Sequence, residues 1–189
     1  MPDNPVIDFL KNRRSVKPRE MRGSGPSPAE IETILTIGAR VPDHGKLAPW
    51  RFIVFQGDAR LRAGDAIAQV FAKVNPDAST EEVDKQRGAL SEAPLVIAVV
   101  SITREHPKVP AWEQQLSAGA ACMNIVTAAA AMGYAANWLT GWFAFDRDAL
   151  AALGVAPNEK IAGFIHIGGL AQKPEDRPRP SVSDLVTRF

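Results

Sequence analysis

The chain has 189 residues, 46% of them hydrophobic, which is enough for one well-buried core and short for two. Its 22 Lys and Arg nearly cancel 21 Asp and Glu, so no global field would recruit nucleic acid or an anionic membrane. A lone cysteine, Cys122, excludes an intramolecular disulfide and fits a reducing, cytoplasmic compartment. Met1-Pro2-Asp3-Asn4 carries no basic stretch followed by an apolar run, so no secretory leader is expected.

Val6, Phe9 and Leu10 fall at helical spacing, predicting a short helix over 6–12 that gives out at Arg13-Arg14-Ser15. Residues 17–27 read as a loop. Ser27-Pro28-Ala29-Glu30 is a capping box with proline at the first helical position, and Ile31, Ile34, Leu35 and Gly38 form one apolar face behind it. That helix delivers Arg40 at its C-terminal end, and Pro42 stops it. A strand is predicted over 51–55. Asp58 is expected to cap a helix over 59–73, and Ser79 with Glu82 to box another over 79–90. The β-branched run 95–101 predicts a strand covered on both faces. Trp112 opens a long Ala-rich helix closed at Gly133. The uncharged stretch 116–136 reaches membrane-spanning length, but its Ala and Gly content favours a buried helix. A strand over 134–138, a helix over 146–153 and a strand over 161–167 follow. The Pro-rich tail from Gln172 ends on Val182, Leu185, Val186 and Phe189, too apolar to stay free, so it is expected to dock. With no repeat or linker, the chain reads as one α+β domain over 1–189.

The chemistry-bearing residues cluster. Arg13-Arg14-Ser15 sets two guanidiniums and a hydroxyl side by side, a fork geometry suited to phosphate oxygens. Arg40-Val41-Pro42-Asp43-His44 and Lys46 crowd onto the turn before Pro49-Trp50-Arg51-Phe52. Three histidines and one cysteine show no metal-ligand spacing, so no metal is expected. His106 reads as a surface-loop residue and His166 as a satisfied strand histidine. No Ser-His-Asp or Cys-His set can be assembled, so no catalytic acid, base or nucleophile is named.

Arg13-Arg14-Ser15, the Arg40 to Phe52 stretch, Trp112-Glu113-Gln114 with Ser117-Ala118-Gly119, Asn137-Trp138-Leu139-Thr140-Gly141 and Gly163 to Gly169 stand in an order that resembles the nitroreductase family of flavoproteins. The likeness is to its small single-domain bacterial branch. It implies an α/β sandwich with a mainly antiparallel central sheet flanked by helices. It also implies a homodimer with exchanged tails and non-covalent, tightly bound FMN at the subunit interface. Hydride would pass from NADH or NADPH to a nitroaromatic or quinone-like small molecule by ping-pong turnover. Arg13, Arg14 and Ser15 would hold the phosphate and ribityl chain; Arg40, His44 and Lys46 would reach the flavin across the dimer boundary. Trp138, Leu139 and Thr140 would lie beside the ring, and Arg177 and Arg179 match a position of further phosphate ligands. Lys46 and Ala48 stand where larger members carry Asn or Gln. The alternatives are an FMN-binding or flavin-delivering protein with little turnover, or a specialised flavin reaction on the same fold.

Overall fold

The strand most strongly marked in the sequence, β2 (Leu95–Ser101), is buried along its whole length and lies inside a four-stranded sheet. The sheet order is β1 (Trp50–Gln56), β2, β4 (Lys160–Gly169), β3 (Tyr134–Leu139), with antiparallel pairing throughout. The computed structural model describes residues 4–172 and 174–189; Met1, Pro2 and Asp3, on which the leader reading partly rests, lie outside the described residues.

Alternation divides the buried strand residues between two faces. Leu95, Ile97, Val99, Ile165 and Ile167 pack with Ile31 and Ile34 of α2 (Pro28–Gly38) and with Ile125 and Val126 of α5 (Ala111–Ala131). Val96, Ala98, Val100 and Phe164 pack with Ile67 of α3 (Asp58–Val74) and Leu150 of α6 (Arg147–Ala152). A register shift between Val99 and Val100 interrupts the β2–β4 ladder, so Ile161 joins the second face while Gly163 lies opposite Val99 on the first. The helix α4 (Thr80–Gly88) packs on α3. Gly38 lets α2 approach α5 closely, since a Cβ there would meet Ile125 Cγ1 at 2.6 Å.

Both expected capping boxes are present, Ser27 with Glu30 and Ser79 with Glu82. Asp58 does not cap α3. Gly57 takes the cap position with φ 54°, and Asp58 is the first helical residue, where its charge still favours the helix N-terminus. Residues 181–189 are exposed throughout in the single chain. Among the described residues no helix is long and apolar enough to cross a membrane.

Two buried titratable groups contribute to the response to acid. Arg51 of β1 binds Glu159 through Nε (2.8 Å) and Nη2 (2.6 Å), and Ala156 N–H donates to Glu159 at 2.8 Å. The Arg51 bonds hold the Glu159 carboxyl at about 2, below its ordinary 4.5. His166 is 2% exposed, its Nδ1 has no partner, and desolvation lowers it from 6.5 to about 4. Both folded values lie below the unfolded ones, so each group contributes stability that is lost as pH falls. The windows are about 6.5 to 4 for His166 and 4.5 to 2 for Glu159. In denaturant titrations across pH, His166→Leu should abolish the upper loss. Glu159→Gln should abolish the lower one while costing about 1.5–3 kcal/mol at neutral pH, the worth of hydrogen bonds to a charged group.

Candidate functional site

The first helix, α1 (Pro5–Asn12), is capped by the Asn4 side chain and released at Arg13, whose N–H donates to Phe9 O at 2.9 Å while its own backbone turns extended. Val16 N–H then donates to Ala136 O at 3.2 Å, pinning this extended stretch along β3. A cavity of about 390 Å³ opens between α1, the C-terminal end of α5 and the start of β3, walled by Phe9, Arg13, Arg14, Tyr134, Ala135 and Leu170. Arg14 Nη1 and Arg179 Nη2 both reach one oxygen of Asp176, each at 3.4 Å. Arg13 Nη1 is buried with no partner among the described residues. Desolvation, then the charges of Arg179 and Arg14, lower the Arg13 pKa. Two guanidiniums thus share one carboxylate while a third, Arg13, lies beside them, so positive charge exceeds negative in the cluster. Ser15 is exposed beside it, and Arg177, also exposed, donates its backbone N–H to Asp176 at 2.8 Å.

The second group sits at the other end of α5. Asn124 donates to Ile37 O (3.1 Å) and Arg40 O (2.9 Å), which satisfies the open end of α2 and fixes where Arg40 leaves it. In the turn that follows, Asp43 accepts from Leu47 N–H (2.9 Å) and Ala48 N–H (2.8 Å). Gly45, Lys46 and Ala48 all have positive φ, at 73°, 54° and 44°. Two of the three carry a Cβ, and such strain persists only where surrounding contacts over-determine it. Those contacts are Arg104 Nη2 to Leu47 O (2.5 Å), Ser117 Oγ to Pro42 O (2.6 Å) and His44 Nδ1 to Glu113 Oε2 (2.8 Å). Arg40, His44 and Lys46 are exposed.

The third group lies on β3, an edge strand. Trp138 lays its indole over Gly163, donates Nε1–H to Ala162 O at 3.2 Å, and reaches toward Gly119 of α5. Since Ala136 O faces Val16, strand alternation directs the Trp138 backbone groups to the same open edge, with Thr140 next in phase. Leu139 and Thr140 are exposed.

One chain therefore brings Arg13, Arg14, Ser15 and Arg179 together with the open edge of β3. It does not bring Arg40, His44 and Lys46 to them. Glu113, beside His44, and Ala130, beside Arg13, are separated by about 25 Å along the α5 axis at 1.5 Å per residue. Asn124, Asp176 and the partnership of Glu113 with His44 are not legible from the sequence, because each depends on a contact between segments far apart in the chain. Only the neighbourhood Trp112-Glu113-Gln114 stood out beforehand. A Cβ on Gly163 would overlap the Trp138 indole. Gly163→Ala should therefore expel the ring, shift tryptophan emission to the red, and lower stability by about 1–3 kcal/mol.

Comparison with known proteins gives one consistent family. The model described as "Nitroreductase family" matches residues 10–169. The Escherichia coli (strain K12) protein named "Putative NAD(P)H nitroreductase YdjA" is 35% identical over 163 residues, covering 86% of this chain and 87% of that one. A crystal structure of a nitroreductase-like family protein from Bacillus cereus superposes with a TM-score of 0.82 at 21% identity, covering 100% of this chain and 98% of the other. A nitroreductase with bound FMN from Bacteroides fragilis gives 0.71 at 23% identity, covering 99% and 100%.

Proposed function

The chain belongs to the nitroreductase family, and on that premise we propose that it is a cytoplasmic, homodimeric, single-domain FMN enzyme. It would carry hydride from NADH or NADPH to nitroaromatic or quinone-like acceptors in a ping-pong cycle. The observation that carries the reading is the buried, unpartnered Nη1 of Arg13 within a cluster of three guanidiniums. A phosphate monoester supplies the charge and the acceptor oxygens that cluster lacks. Bound FMN would supply the hydride chemistry itself.

This chain's residues bind, orient and exclude water. Arg13, Arg14 and Arg179 clamp the phosphate, with Ser15 and Arg177 at its margin. The β3 edge offers the N–H groups of Trp138 and Thr140 to the ring; alternation turns that of Leu139 toward β4. Trp138 supports that edge from its seat on Gly163. Arg40 and Lys46 are cations suited to the electron-rich edge of a reduced flavin.

Completing the site takes a second copy. The separation of about 25 Å between the two ends of α5 keeps His44 away from Arg13 within one chain. An antiparallel copy of α5 would bring one chain's His44 end to the other's Arg13 end. The surface for it is available: Trp112, 68% exposed, with Leu116 and Met123, makes an apolar stripe that Gly119 and Ala120 keep smooth. The exposed tail with Val182, Leu185, Val186 and Phe189 adds a second apolar surface for exchange.

Purified protein should be yellow, bleach anaerobically with NADH or NADPH, and recolour with a nitroaromatic or quinone. Arg13→Met should weaken FMN binding roughly 10–150-fold, the equivalent of a lost charge-assisted contact of about 1.5–3 kcal/mol. Riboflavin, which lacks the phosphate, should bind both proteins equally. The apo variant should melt no lower than wild type, because the guanidinium removed is desolvated and repelled. A colourless wild type that takes up no FMN rejects the reading.

In sedimentation, wild type should be a flavin-loaded dimer. Leu116→Glu, at a position half exposed in the single chain, should give a folded monomer without flavin. Obligate interfaces bury about 2,000 Å² or more, and a charge at their centre is not tolerated.

A further inference from the structure

The contact between His44 and Glu113 is one of those that hold the strained turn, but by its own energy it adds little to the fold. Both side chains are about half exposed, and such surface pairs stabilise little. It nevertheless joins a strained turn to the first turn of α5. The neighbouring residue, Gln114, is buried and ties the preceding loop by accepting from Arg104 N–H (3.0 Å) and donating to Arg104 O (2.8 Å) and Val109 O (3.1 Å). Only about 10 Å³ is left between His44, Glu113, Asp43 and Ser117, so the carboxylate meets the imidazole directly.

A carboxylate can only accept, so Nδ1 carries the hydrogen in this contact and Nε2 becomes the outward nitrogen. We propose that Glu113 is a positioning residue that holds His44 as its Nδ1–H tautomer, leaving Nε2 as a hydrogen-bond acceptor for the single ring N–H of a flavin's pyrimidine half. The assignment rests on the FMN reading above. It divides labour on the turn: Arg40 and Lys46 can only donate and suit the two carbonyl oxygens flanking that N–H, whereas His44 alone can accept from it. The strained backbone at Gly45, Lys46 and Ala48 keeps these groups close along the turn.

The tautomer is read by nitrogen-15 NMR of the histidine rings in the apo protein at about pH 8, where an ordinary imidazole is neutral. Wild type should show His44 protonated at Nδ1. Glu113→Ala should move the proton to Nε2, turning the outward acceptor into a donor, and weaken FMN binding about 5–10-fold, as one lost hydrogen bond does. Glu113→Gln, whose amide oxygen still accepts, should keep Nδ1–H and most of the affinity. In a His44→Ala background, adding Glu113→Ala should cost nothing more. Persistence of Nδ1–H in Glu113→Ala overturns the assignment, as does an equal loss of affinity without His44. A wild type that takes up no FMN overturns the flavin reading and the named ligand with it, whereas an FMN-binding wild type whose tautomer ignores Glu113→Ala overturns only the role of Glu113.

Discussion

The close packing of α5 between the sheet and α2 is the constraint on which the rest of the molecule depends. Its buried face is built mostly from small side chains, Ser117, Ala118, Ala121, Cys122, Ala128 and Ala129, with Ile125 and Val126 as the larger members. Each alanine methyl contributes on the order of 0.8 kcal/mol, so the helix gains its hold from close approach along its length rather than from a few large anchors. Close approach also brings its polar groups within reach of other segments. Asn124 finishes α2, Ser117 donates to Pro42 O and accepts from Trp50 Nε1–H, and Gln114 ties down the loop before it. At the far end Ala130 and Gly133 wall the arginine cavity.

Local signals were the legible ones. Two capping boxes, the apolar run of β2 and the cluster Arg13-Arg14-Ser15 need only a few consecutive residues to be read, and the helices and strands they mark are where the sequence puts them. Asp58 misled because an acidic residue favours both the cap and the first turn of a helix, and only the positive φ of Gly57 separates the two. The register shift at Val99 and Val100 leaves no trace in composition, yet it turns Ile161 to the face of Val100 and Phe164. The family resemblance implies that the arginine and histidine stretches meet one flavin across a dimer boundary, not within one chain. A helix laid between them keeps them at opposite ends of the chain's own surface.

Two kinds of arginine are present, and the contrast separates architecture from chemistry. Arg51 and Arg147 are fully engaged: Arg51 bonds Glu159 and Gly154 O, and Arg147 bonds Glu159 O and Ala156 O, locking the loop before β4 to β1 and α6. Arg13 is held in a partly buried site beside two other cations with its Nη1 unanswered. Charge carried without compensation lowers stability, so the Arg13 cluster contributes little to the fold itself.

The open edge of β3 has a consequence for the chain before it has any ligand or companion. An unpaired strand edge is a template for any extended segment, and proteins blunt such edges with brevity, prolines or charge. Here Val16 occupies the edge at Ala136, leaving only its final residues free, and Gly141 with the turn beginning at Trp142 ends the strand soon after. Those final residues, Trp138 and Leu139, are apolar and exposed, with no lysine or proline among them. The part of the β3 edge open to pairing is thus limited to one short segment of backbone. On the function proposed above, a flavin seated there would also cover that edge.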